Sequence, residues 1–269
     1  MKKALLGIAL LNLLFACSKK DKVETVPELP PEKIVVARIT EGNDSLVMKY
    51  DNEGRVVRFA DWTGNTADSF EVAYLGGSRY ISEFKFFAFS EKRIDRKFVY
   101  DGIVLTGVNY YNLGSNGEPV ITDKDSLVYK DGRLTEYHEI SGGVRSSVYK
   151  LTWQYNDVSK AEYFLVNGNT EIPVSVNTYT YNDMPGYQHM FKGDFLLRYE
   201  RHNFSHLSVH AVIKDEQKAA GSGVLIYSTV YTPSYDQQGL PKDVVIVKDD
   251  KQSNETMTTT LKLEYITLP

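Results

Sequence analysis

Tyr50-Asp51-Asn52-Glu53-Gly54-Arg55-Val56 decides the fold, because the same short phrase returns along the chain. Upstream of it, Leu46, Met48 and Tyr50 alternate with Val47 and Lys49, the period-two pattern of a strand with one buried face. Asp, Asn and Gly then supply turn chemistry, with glycine at the positive φ that hairpin loops require. Val56 opens the next strand. Further copies begin at Tyr74, Tyr100, Tyr129, Tyr155, Tyr181 and Tyr235, and Tyr265 ends the last. The intervals are 24, 26, 29, 26, 26, 54 and 30 residues, where 54 reads as two periods with one degenerate copy between them. A fixed period of roughly 27 residues means a repeated supersecondary unit, here a hairpin of two strands and two connections.

The other strands carry the same alternation: Phe70, Val72 and Tyr74; Leu151, Trp153 and Tyr155; Leu261, Leu263 and Tyr265. No window reads as an amphipathic helix, and Lys214–Ala220 reads as a long loop. The expected fold is all-β: an antiparallel meander of about fifteen strands, forming a strongly curled sheet or open barrel. Nineteen Tyr against 12 Phe and 2 Trp fit a sheet with many half-buried positions.

Residues 1–16 read as a secretory signal: Lys2 and Lys3, an apolar run from Ala4 to Leu14, then Leu14-Phe15-Ala16 before Cys17. A cut before the lone cysteine resembles a bacterial lipoprotein signal, which implies lipidation of Cys17 and a membrane partner reached through that lipid. Residues 17–33, with Pro27, Pro30 and Pro31, read as a tether, and residues 34–269 as one hairpin-repeat domain. The formal net charge of −4, or about −6 once Lys2 and Lys3 are removed, argues against a nucleic-acid partner.

The phrases Tyr50–Val56 and Tyr129–Leu134 resemble the YD repeats of RHS-type proteins. Together with the Cys17 signal and the copy Tyr235–Pro241, the chain resembles the uncharacterised Bacteroidetes lipoproteins of the DUF4595 type. That resemblance implies a β-sheet lipoprotein of the outer cell envelope and carries no catalytic residues. Asp44-Ser45-Leu46 and Asp125-Ser126-Leu127 are similar to the O-glycosylation motif of the same phylum.

No constellation points to catalysis, so the reading is a protein that is not an enzyme and needs no cofactor. His202, His206 and His210 fall on an apparent strand, since Leu207, Val209, Ala211 and Ile213 alternate with the polar positions. Four residues of strand span about 13 Å, too far for two ligands of one metal ion. Asp123 and Asp125, and Asp249 with Asp250, read as turn solvation. Consecutive aromatics must point to opposite faces, so Phe86-Phe87 and Tyr110-Tyr111 each offer one outward ring. With Trp62 they are the candidate ligand-stacking residues. The functional expectation is a binding or scaffold module of the envelope with a glycan or protein ligand. The alternative is a carrier that encloses an apolar ligand such as a lipid.

Overall fold

The structure, a computed structural model, describes residues 34–88, 91–191 and 195–268. Cys17, the signal and the tether lie outside the described residues. Sixteen antiparallel strands follow one another around a closed barrel, each paired with its neighbours in sequence, and β1 (Ile34–Glu41) closes on β16 (Glu255–Thr267). The sheet thus closes fully, and no strand is left as an edge.

Hairpin turns alternate between the two ends. One rim carries the short turns, such as Gly42-Asn43 and Gly142-Gly143. The other, the tyrosine end, carries the turns after the repeat tyrosines, and β1 begins there. At that end, Tyr50 donates its hydroxyl proton to the Val36 carbonyl at 2.5 Å, Tyr74 to Val56 at 2.8 Å, and Tyr100 to Ile81 at 2.9 Å. Tyr181 does the same to Val158, and Tyr265 to Pro241. Each ring closes the base of its own hairpin, and those of Tyr50, Tyr74, Tyr100 and Tyr265 join the buried cluster inside the wall.

The phrase itself is an Asx-type turn. Asp51 Oδ1 accepts the backbone N–H groups of Glu53 and Arg55, and Gly54 takes φ +75°. Arg55 returns its Nε–H to Asp51 and spans to the Gly77 and Ser78 carbonyls of the next turn, stitching neighbouring repeats. Tyr155 departs from this pattern. It sits at φ +53° and is 65% exposed, equivalent to Asp131, which has the same φ. The latch there is Trp153, whose indole N–H donates to Leu134 at 2.8 Å. The repeat position is therefore two residues earlier than the tyrosine spacing suggests.

A sixteen-stranded barrel leaves a lumen too wide for wall side chains alone to fill. The chain fills it with the segment between β12 (Thr170–Pro185) and β13 (His210–Ala219), whose described parts include 3-10 turns at Tyr187–Met190 and Phe204–Leu207 and a short helix, α1 (Phe195–Tyr199). This plug accounts for the long 54-residue interval: the extra residues are an inserted segment, not a degenerate hairpin. Leu207–Val209 belong to the plug, the strand starts only at His210, and Lys214–Ala219 are strand rather than loop.

The lumen is graded along its axis. Towards the tyrosine end, Val56, Phe59, Ile81, Phe84, Leu134 and Val158 are almost fully buried and pack with Phe195 and Phe204 of the plug. Phe59 meets Phe70, Phe84, Phe195 and Tyr199 at centroid distances of 4.6 to 5.3 Å. Burying one such ring contributes roughly 1.5–3 kcal/mol. Towards the opposite rim, the inward positions turn polar: Asp61, Asp68, Glu139, Ser147, Ser175, Asn177, Asp215 and Gln217.

The outer wall is charged. Lys49, Arg58, Glu71, Lys85, Glu83 and Lys97 run in register across five consecutive strands. Ion pairs such as Lys85–Glu83 at 2.6 Å and Lys160–Glu162 at 3.0 Å decorate it. Exposed apolar residues, among them Val128, Leu165, Ile172, Val230, Val245 and Ile266, are interspersed with these charges on other strands.

Candidate functional site

The plug is held by buried polar contacts. Asp125, on β8 (Pro119–Lys130), is 3% exposed. It accepts both Nε–H and Nη2–H of Arg201 at 3.1 and 2.5 Å, and the hydroxyls of Tyr110 and Tyr137. This carboxylate, expected to solvate a turn, is the plug's principal anchor. Next to it, Glu139 accepts from His202 and Ser147 and lies 3.4 Å from the Arg201 guanidinium, and the His202 contact foremost lowers its pKa to about 2. His202 also stacks on Tyr149 at 4.8 Å. Where the plug leaves, Asp157 accepts the backbone N–H and contacts Nδ1 of His210 at 3.0 and 2.7 Å. Ser208 accepts from the Val158 N–H and donates to the Tyr181 hydroxyl. His202 and His206 thus belong to a folded insertion, and of the three only His210 lies on a strand, as the first residue of β13. Among the described residues, no group of three His, Cys, Asp or Glu side chains could hold a metal ion.

Above this floor, on the side of the polar rim, lies a cavity of about 470 Å³. Its wall comes from β12, β13 and β14 (Leu225–Tyr235): Asn177, Tyr179, Val212, Asp215, Tyr227 and Tyr231. Glu200, Arg201, His202 and Asn203 of the plug make its floor. The strand register explains why these residues meet. Tyr179 pairs with Asp215, and Asp215 pairs with Thr229, so Tyr227 and Tyr231 flank it diagonally on the same face. The amide of Asn177 donates to the Tyr227 hydroxyl at 2.9 Å and receives from Gln217 at 3.0 Å, fixing its orientation. Asp215 receives only a long 3.5 Å contact from Asn177, and burial raises its pKa to about 6. Lys248, on β15 (Pro241–Asp250), holds its ammonium 4.8 Å from the centre of the Tyr227 ring.

Of the residues singled out from sequence, Phe86 and Tyr111 both line a second open cavity of about 760 Å³, with Phe70, Arg93 and Asn112, while Trp62, Phe87 and Tyr110 are not part of its lining. Phe86 and Tyr110 face inward, Phe86 against Phe70 and Tyr110 against Asp125. Phe87 and Tyr111 face outward, but Arg58 and Lys92 cover the first and Lys97 the second. Trp62 is outward and 38% exposed, beside Ser45 and Ala67. Sequence reasoning missed Tyr179, Tyr227 and Tyr231 as a group. Their alternation on β12 and β14 was the available signal, but their convergence depends on which strands pair.

No protein-family model and no curated protein matches the chain. Among solved structures, a porin-like protein from Bacteroides uniformis is similar over 90% of this chain and 100% of its own, with a TM-score of 0.54 at 12% identity. A porin-like protein from Bacteroides vulgatus is similar over 86% of this chain and 98% of its own, with a TM-score of 0.38 at 11% identity. At such identities the likeness is one of fold: this chain has the barrel architecture of the first of these proteins, built here with a charged outer wall and a plugged lumen.

Proposed function

We propose that this chain is a non-enzymatic binding module of the bacterial cell envelope. Its ligand site is the rim-side cavity, and its ligand is a polar, ring-bearing molecule of the glycan class. The observation that carries this reading is the cavity itself: three tyrosines, the amides of Asn177 and Asn203, and the carboxylates of Asp215 and Glu200 surround a space of about 470 Å³. Glycans are bound by that combination, because sugar rings present C–H faces to aromatics and hydroxyls to amides and carboxylates. Asp215 and Glu200 both line this cavity, and burial foremost raises the Asp215 pKa to about 6. Membership among YD-repeat lipoproteins, with Cys17 lipidated, is part of the same proposal and rests on the sequence alone.

The carrier reading fits less well. The apolar half of the lumen is filled, and the void lined by Tyr187, Val244, Ile246 and Leu261 measures about 60 Å³, too small for an acyl chain. The test is a glycan array and thermal-shift screen of the protein alongside Tyr227→Ala, Tyr179→Ala and Trp62→Ala variants. A glycan hit lost in the first two and kept in the third supports the cavity. A hit lost only in Trp62→Ala places binding on the outer wall and overturns it.

A further inference from the structure

The charges around the cavity do not cancel. Arg201 is engaged by Asp125 and Glu139, and His202 by Glu139. Glu41 and Glu200 lie close enough that Glu200, after burial, raises the Glu41 pKa, and His206 beside Glu200 is pushed by burial towards its neutral form. Against Glu41, Glu200 and Asp215 stands the ammonium of Lys248. Asp215 has no ion-pair partner among the described residues, although it sits among three tyrosines. Lys248 reports what such a place accepts: its own ammonium rests over the Tyr227 ring. Aromatic rings around an unpaired carboxylate attract a cation through the ring quadrupole and through charge.

On the reading that this cavity binds glycans, we infer that it selects ligands bearing a positively charged amine, an amino sugar in its free-amine form, with the ammonium against Asp215 and the rings of Tyr179, Tyr227 and Tyr231 around it. Lys248 then acts as an internal competitor whose ammonium is displaced from Tyr227 by the ligand's.

The test is calorimetric titration of the protein at pH 7 with glucosamine tetramer, cellotetraose and tetramethylammonium, repeated on Asp215→Asn and Lys248→Met. Glucosamine tetramer is expected to bind at least tenfold more tightly than cellotetraose. Asp215→Asn should abolish that preference, and Lys248→Met should increase it. Because Lys248→Met removes a charge from the lumen, it also reports on the inference if Asp215→Asn fails to fold. Equal binding of the two tetramers overturns the amine preference and leaves the glycan reading standing. Binding of tetramethylammonium alone, lost in Asp215→Asn, supports the cation site and overturns the glycan reading. Silence from all three probes overturns both.

Discussion

Replacing Asp215 by Asn should stabilise this protein at neutral pH, and the gain should have a defined pH profile. The carboxyl has a pKa of about 6 in the fold against 3.8 for the unperturbed group, because burial disfavours its charged form. A raised acid pKa means that the folded state holds the proton more tightly than the unfolded chain. Stability is therefore lost as pH rises from about 4 to about 6 and stays lost above it. A shift of about two units corresponds to at most ~3 kcal/mol, and water in the open cavity reduces this to roughly 1–2 kcal/mol. For a chain of this length that is roughly 3–6 °C in Tm. The assay is urea denaturation of both proteins from pH 4 to pH 8, read as the difference between them. Glu139, held down mainly by His202, costs both proteins stability as pH falls below its usual range, and it cancels in the difference. The difference should be smallest at pH 4 and level off above pH 6.5. A difference that does not vary with pH, or a variant less stable than the parent at pH 7.5, would refute a strained carboxylate at this site.

Two further outcomes follow from the plug and the latches. Arg201→Met should destabilise the protein by about 3–5 kcal/mol, since Asp125 keeps its buried charge without its cation, and adding Asp125→Asn should recover part of the loss. Both are measured by urea denaturation, with limited proteolysis between β12 and β13 to report release of the plug. Tyr74→Phe should cost about 1 kcal/mol through its lost bond to Val56, and Trp153→Phe a similar amount through Leu134. Tyr155→Gly, by contrast, should leave stability unchanged or raise it by up to about 1 kcal/mol by relieving a left-handed backbone. Thermal melts of the three variants separate the two assignments of the repeat position.

Strand identity was legible because alternation and turn chemistry are local. Leu46, Met48 and Tyr50 declare their face without knowledge of any partner. Closure was not legible, because the pairing of Ile39 with Leu263 joins opposite ends of the sequence and leaves no local mark. The plug was misread for a related reason. Leu207 and Val209 continue the alternation of Ala211 and Ile213 on β13, but the 3-10 turn at Phe204–Leu207 is held by tertiary contacts, including Ser208 to Val158. Asp125 reads as a polar turn residue until Arg201 is known to lie beside it. Tyr155 misled because the eye follows tyrosine, whereas the latch needs only a ring with a donor at its edge, which Trp153 supplies.

The first strand begins at the tyrosine end, the end from which the plug also enters, and the polar cavity opens towards the opposite rim. An anchor at Cys17 would therefore hold the barrel by its stopped end, like a cup on a stalk. An anchor so placed would leave the cavity mouth at the end of the barrel farthest from the point of attachment.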